Sequence, residues 1–154
     1  MDMPPPPRPV VEISVQFDKF GIPRYQAADN AKGSQDNARH GYAVVEPDGT
    51  IDLTQVHTPV VIVFHVDPAD HHRFDRRAPL FTSDAPFTHT HRWRPDGQFR
   101  RVRRLDDGLT LRIDYQNINR MHGRPMPANG YDLSFSRGPH EDKDPAIKNG
   151  SVTN

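Results

Sequence analysis

The 154-residue chain has no cysteine, which excludes disulfides, thiolate metal centres and cysteine nucleophiles while leaving the redox compartment open. It also lacks a long apolar run: the longest, Val60 to Phe64, falls far short of the roughly 20 residues that a membrane helix needs. The start, Met1-Asp2-Met3 followed by Pro4 to Pro7, has neither the basic nor the apolar region of a secretory signal, so a cytoplasmic protein with no membrane partner is expected. Net charge is absent too. Twenty basic and twenty acidic side chains cancel, and the isoelectric point near 7.1 gives no global field toward nucleic acid or anionic lipid. Sixteen prolines and ten glycines interrupt the chain too often for a three-turn amphipathic helix. Neither a Gly-x-Ser-x-Gly elbow nor a phosphate-binding Gly-x-x-x-x-Gly-Lys loop occurs, which leaves no recognisable catalytic motif.

What the chain does have is alternation. Apolar residues make up only 34% and the mean hydropathy is −0.81, yet they fall in regular period-two runs, the pattern of strands with one buried face. Val11, Ile13, Val15 and Phe17 alternate with polar residues, Asp18 to Gly21 turns the chain, and Ile22 to Gln26 returns, with Pro23 confining that strand to an edge. A second hairpin is expected around Glu46-Pro47-Asp48-Gly49-Thr50, a third around Arg94-Pro95-Asp96-Gly97-Gln98 and a fourth around Leu105-Asp106-Asp107-Gly108-Leu109. Val60 to Val66 reads as a central strand, and Leu109 to Tyr115 and Tyr131 to Phe135 as core strands. The fold class expected is all-β, an antiparallel two-sheet sandwich of about seven or eight strands, with Greek-key connections as one option. The organisation expected is a disordered proline-rich leader over 1–9, the sandwich over 10–137 and a polar surface tail over 138–154.

Two residue types concentrate where chemistry would sit. Nine histidines include His71-His72 and the pair His89 and His91, whose spacing of two puts both imidazoles on one face of a strand. With His65 as third ligand, or with His71 or His72 from the loop, they would suit zinc or copper, with nickel as a further option. The bland alternative is that alternating histidines are polar residues on a solvated face. Asp67-Pro68-Ala69-Asp70 beside His71 and His72 reads as a loop, because no nucleophile accompanies it.

Arginine outnumbers lysine sixteen to four. Six of the arginines, Arg92, Arg94, Arg100, Arg101, Arg103 and Arg104, fall on one expected hairpin together with Trp93. Such a ribbon fits an acidic protein surface, or nucleic-acid phosphates with Trp93 and Phe99 stacking on bases. Charges of this kind also protect an exposed edge from pairing.

Three stretches carry a resemblance: Phe17-Asp18-Lys19-Phe20-Gly21-Ile22-Pro23, the strand Tyr131 to Phe135, and Asp144-Pro145-Ala146-Ile147-Lys148-Asn149-Gly150. Together they look like a set of small bacterial β-sandwich proteins, and the last is similar to the tail of bacterial inclusion-body proteins of the PixA/AidA type. The resemblance implies a β-sandwich without catalytic residues to carry over, and the chain departs from it in its arginine-rich hairpin and its histidines. The function expected is therefore a non-enzymatic binding or assembly module that presents the arginine-rich hairpin and its loops to a protein partner or to copies of itself. The alternatives are a histidine-based metal protein and nucleic-acid binding through the same hairpin.

Overall fold

The computed structural model describes residues 8–27, 43–75, 80–82, 98–121, 123–133, 135, 146–150 and 152–153. Among them are thirteen strands and two single-turn 3-10 segments. The all-β expectation holds.

The first five-stranded sheet contains β1 (Val10–Phe17), β2 (Pro23–Ala27), β5 (Val60–Val66), β7 (Phe99–Leu105) and β8 (Thr110–Tyr115), in the order β2-β1-β5-β8-β7. Its inner face is the alternation seen in the sequence: Val11, Ile13 and Val15, then Val60, Ile62, Phe64 and Val66, then Leu111, Ile113 and Tyr115, all buried. Burying one such side chain is worth about 1.5–3 kcal/mol, so this face supplies much of the driving force. Pro23 lies on β2 at the end of the sheet order, where its missing N–H costs least. Asp18 closes the first turn by accepting from the backbone N–H groups of Phe20 and Ile22 at 2.8 and 3.0 Å.

A second five-stranded sheet has the order β3-β4-β12-β11-β6, formed by β3 (Val44–Val45), β4 (Ile51–Asp52), β6 (Leu80–Thr82), β11 (Ala128–Asp132) and β12 (Ala146–Lys148). The expected turn at Glu46 to Thr50 joins β3 to β4, with Asp48 accepting from Thr50 N at 2.8 Å. Tyr131 on β11 donates its hydroxyl to the carbonyl of Gly49 and so ties that turn to the core. Burial raises the ionisation of this phenol well above its ordinary value. A smaller sheet, β10-β9-β13, contains β9 (Ile118–Met121), β10 (Arg124–Pro125) and β13 (Val152–Thr153). One buried cluster draws on both five-stranded sheets, with the rings of Phe64 on β5 and Tyr131 on β11 centred 5.5 Å apart.

Two expectations need correction. The sheets are mixed rather than antiparallel, because β1 runs parallel to β5, β12 parallel to β4 and β13 parallel to β9. Parallel neighbours require a long return path, and the chain makes it by visiting β2, β3 and β4 between β1 and β5. The second concerns the C-terminal segment, expected as a polar surface tail. Ala146–Lys148 instead lies between β4 and β11 with Ile147 buried.

Candidate functional site

The hydrogen bonds of the inner side separate polar residues that serve the fold from those that the fold does not use. Where β8, β11 and β12 converge, Gln98, Asn117, Asn129 and Asn149 are all buried. Gln98 pairs its amide with both backbone groups of Ile118, donating to the carbonyl and accepting from the N–H, each at 2.9 Å, so a side chain takes the place of a strand. Its Nε2 also donates to Asn129 Oδ1 at 2.9 Å. Asn149 donates to Asn129 Oδ1 and to the carbonyl of Met126, both at 2.8 Å, and the Tyr115 hydroxyl lies against both asparagines. Asn117, at a left-handed φ of 60° that asparagine tolerates better than most residues, donates to the carbonyls of Val56 and Thr58 and accepts from Gly150 N. The Asn149-Gly150 end of the tail motif is therefore a lock. A Cβ on Gly150 would stand 1.9 Å from the Val56 carbonyl oxygen and 2.6 Å from that of Leu53.

The outer face of the first sheet is the opposite case. Val10, Val61, Asp114 and Arg100 lie side by side across β1, β5, β8 and β7, and Glu12, Val63, Arg112 and Arg103 form the next row. Between these rows β7 carries two residues, Arg101 and Val102, where β8 carries only Ile113. This is a β-bulge, and Arg101 sits in it at a φ of 48°, a left-handed conformation that normally falls to glycine. Successive residues of a regular strand point to opposite faces. The bulge breaks that rule and lets Arg100 and Arg101 line the same groove.

That groove, about 430 Å³, is lined by Arg8, Val10, Val61, Arg100, Arg101, Arg112 and Asp114. Arg8 is held in place because the carbonyl of the next residue, Pro9, accepts from Val61 N at 2.9 Å. Among the described residues, Asp114 is the one acidic lining residue, and it lies 3.9 Å from Arg112. Among the described residues, Arg8, Arg100 and Arg101 have no carboxylate within ion-pair distance. Four guanidinium groups, charged at any physiological pH, thus face one carboxylate over an apolar floor.

The six expected arginines have different fates. Arg100 and Arg101 line the groove, and Arg103 is exposed in the row beside it. Arg104 corrects the expectation. Beyond the bulge the alternation is shifted, so Arg104 pairs with the buried Leu111. Its guanidinium donates to the carbonyls of Phe74 and Asp107 at 3.0 and 3.2 Å, and Gly108 packs directly on it. It clamps the turn Asp106–Gly108, with Arg73 donating to Asp107 from the other side. Arg92, Trp93 and Arg94 lie outside the described residues. Sequence reading missed Arg8, hidden in the leader, and Arg112, which reads as an ordinary outward residue of β8. The only sequence signal for Arg112 is its position two residues from Asp114.

The histidines are dispersed among the described residues. His65 lies beside Thr110, with Nδ1 3.4 Å from a hydroxyl that donates to Asp106 at 2.9 Å. His71 ends a 3-10 turn in a left-handed conformation, and His72 stacks on Phe17 with ring centroids 3.8 Å apart. His89 and His91 lie outside the described residues, and among those described no three His, Asp or Glu side chains are placed to share a metal ion. No helix among the described residues is long and apolar enough to cross a membrane. Compared with known proteins, the chain matches no family model and no curated sequence.

Proposed function

We propose that the protein is a binding module whose arginine groove receives an acidic segment of a protein partner. In this reading the two five-stranded sheets are the layers of a β-sandwich, joined through the shared core that includes Phe64 and Tyr131, and the groove lies on an outer face. The observation that carries it is the bulge at Arg101. A non-glycine residue in the left-handed region costs about 1–3 kcal/mol, and here the strain coincides with a second arginine on the face that already holds Arg100 and Arg112. The tail motif serves the fold and not the groove, since Ile147, Asn149 and Gly150 are consumed by packing and hydrogen bonds.

The test is titration of a fluorescent oligoglutamate into wild-type protein, Arg101→Gln/Arg112→Gln and Arg103→Gln at two salt concentrations. Wild type binds more tightly at low salt. The double variant loses at least about tenfold in affinity and most of the salt dependence, a drop equal to one factor of ten in Kd, whereas Arg103→Gln changes little. Equal binding by wild type and the double variant would rule the groove out.

A further inference from the structure

Resting on the groove as a binding site for an acidic protein segment, we infer that the segment is read by pattern: an extended stretch with an acidic residue at each end and an apolar residue midway, crossing the strands. The argument is one of spacing. Strands in a sheet lie about 4.8 Å apart and advance about 3.3 Å per residue. Arg8 is two residues before Val10 on the first strand, and Arg100 is in the Val10 row three strands away, which sets their backbones about 16 Å apart on this geometry. Arg101 and Arg112 cluster at the Arg100 end.

The cations therefore form two poles rather than one centre. The floor along the Val10 row is Val10 itself, exposed to 39% and close to the Arg8 pole, and then the buried Val61, about 5 Å further toward Arg100. An extended peptide covers about 13 Å from a residue to the fourth one on, and residues at i, i+2 and i+4 face the same way. The two poles can lean in by the remaining few ångströms, since arginine side chains are long and flexible. Acidic groups at i and i+4 thus meet Arg8 at one pole and Arg100, Arg101 and Arg112 at the other, while a leucine-sized side chain at i+2 stands over Val61 and reaches back one strand to cover the exposed Val10. A compact inorganic anion can engage one pole only and leaves Val10 wet.

The two ends are unequal, and this gives the segment a direction. Three arginines and Asp114 leave a net charge of +2 at one pole, so the end seated there gains from two adjacent acidic residues. The end at Arg8 needs one.

Three synthetic peptides test the pattern against full-length protein: Glu-Glu-Ser-Leu-Ser-Glu, the same peptide with the leucine replaced by serine, and a composition-matched peptide with the leucine at one end. Inorganic phosphate and polyphosphate serve as anion-only probes. The first peptide binds about tenfold more tightly than the other two, because one leucine-sized side chain is buried only in that register. Val10→Ser removes that advantage and leaves the serine peptide unaffected, and Arg8→Gln weakens all three peptides about equally. Equal binding of the three peptides, or indifference to Val10→Ser, overturns the pattern while leaving an acidic groove. Tighter binding of polyphosphate than of any peptide overturns the peptide as occupant. Absence of binding by every probe at low salt defeats the groove itself along with the pattern.

Discussion

The buried amide seam and the arginine groove are both polar places in an all-β protein, and they differ in whether their polar groups are answered. In the seam, Gln98, Asn117, Asn129 and Asn149 exchange hydrogen bonds with one another, with Tyr115 and with backbone that no strand would otherwise satisfy. In the groove, three of four guanidinium groups have no carboxylate within ion-pair distance among the described residues. An unsatisfied buried polar group costs about 1–3 kcal/mol, so the seam had to close for the chain to fold. Exposed cations carry no such demand. The difference separates residues kept for structure from residues that the proposed partner would meet, and mutation can break it from either side.

The largest effect is expected at Gly150. Its φ is not left-handed, so the need for glycine is one of space: a methyl group would meet two backbone oxygens that cannot rotate away. Gly150→Ala should destabilise by about 4 kcal/mol or more, against total stabilities of about 5–15 kcal/mol for domains of this kind. Chemical denaturation reads this directly. A midpoint unchanged from wild type would mean that the C-terminal lock is not formed in solution.

Asn149→Asp comes next. It replaces the Nδ2 donor with a second acceptor facing the Met126 carbonyl and Asn129 Oδ1, and it places a charge in a buried site. A cost of about 3 kcal/mol is expected at neutral pH. Lowering the pH should recover part of it, as the new carboxyl takes up a proton and regains a donor. Tyr115→Phe removes only a hydroxyl and should cost about 1 kcal/mol, so the ordering of the two variants separates charge burial from the loss of one hydrogen bond. Neither should alter peptide binding at the groove.

Much of this architecture is legible in the sequence, and the parts that are not share a cause. One-sided burial writes itself as alternation, so β1 and β8 can be read directly, β5 is legible as a continuous apolar run, and the carboxylates of Asp18 and Asp48 announce their turns. Parallel pairing leaves no local trace, because β1 and β5 meet only after the chain has built β2, β3 and β4. The strand Ala146–Lys148 is hidden for a related reason: Ile147 is its sole large apolar residue, and its neighbours Asn149 and Gly150 are buried through hydrogen bonds and close contact rather than hydrophobicity. At the groove, the concentration of arginines is visible but their sorting is not. A bulge is set by the register of the partner strand, so counting by twos along β7 assigns Arg104 to the outside when it is drawn under the hairpin. Arg8 joins the groove through a backbone bond of Pro9 to β5, which no reading of the leader alone would find.

Arg101 tests the groove side of the comparison. If its strained backbone exists to place a charge, Arg101→Gly should relax the bulge while emptying the site. The gain from relief is partly offset by the freedom glycine has in the unfolded chain, so stability should hold or rise within about 1 kcal/mol. Arg101→Ala keeps the strain and should be the less stable of the two, the reverse of the usual order in a strand. Both should bind oligoglutamate several-fold more weakly than wild type. Thermal melts and a binding titration on the three proteins decide it, and a glycine variant less stable than the alanine variant would show that the left-handed geometry carries no strain.

The smallest effect lies between the two cases, at Asp18, a partly buried charge that the backbone does answer. Its carboxyl is held below the ordinary aspartate value of 3.8, first by the N–H of Ile22, with some desolvation opposing, and further by the N–H of Phe20 and by Arg24 and Lys19. A carboxyl whose folded value is depressed adds stability that is fully present above the unfolded value and disappears as pH falls through the folded one. Asp18→Asn should therefore melt slightly below wild type near neutral pH, with the gap closing as the pH drops below about 4 toward 2. The amides of Phe20 and Ile22 provide the local readout: their hydrogen-exchange protection, corrected for intrinsic rate, should fall in the variant at neutral pH and converge with wild type in acid. A gap that stayed constant through that range would mean that the first turn is held by its backbone bonds to Asp18 and Ile22 carbonyls and owes nothing to the charge.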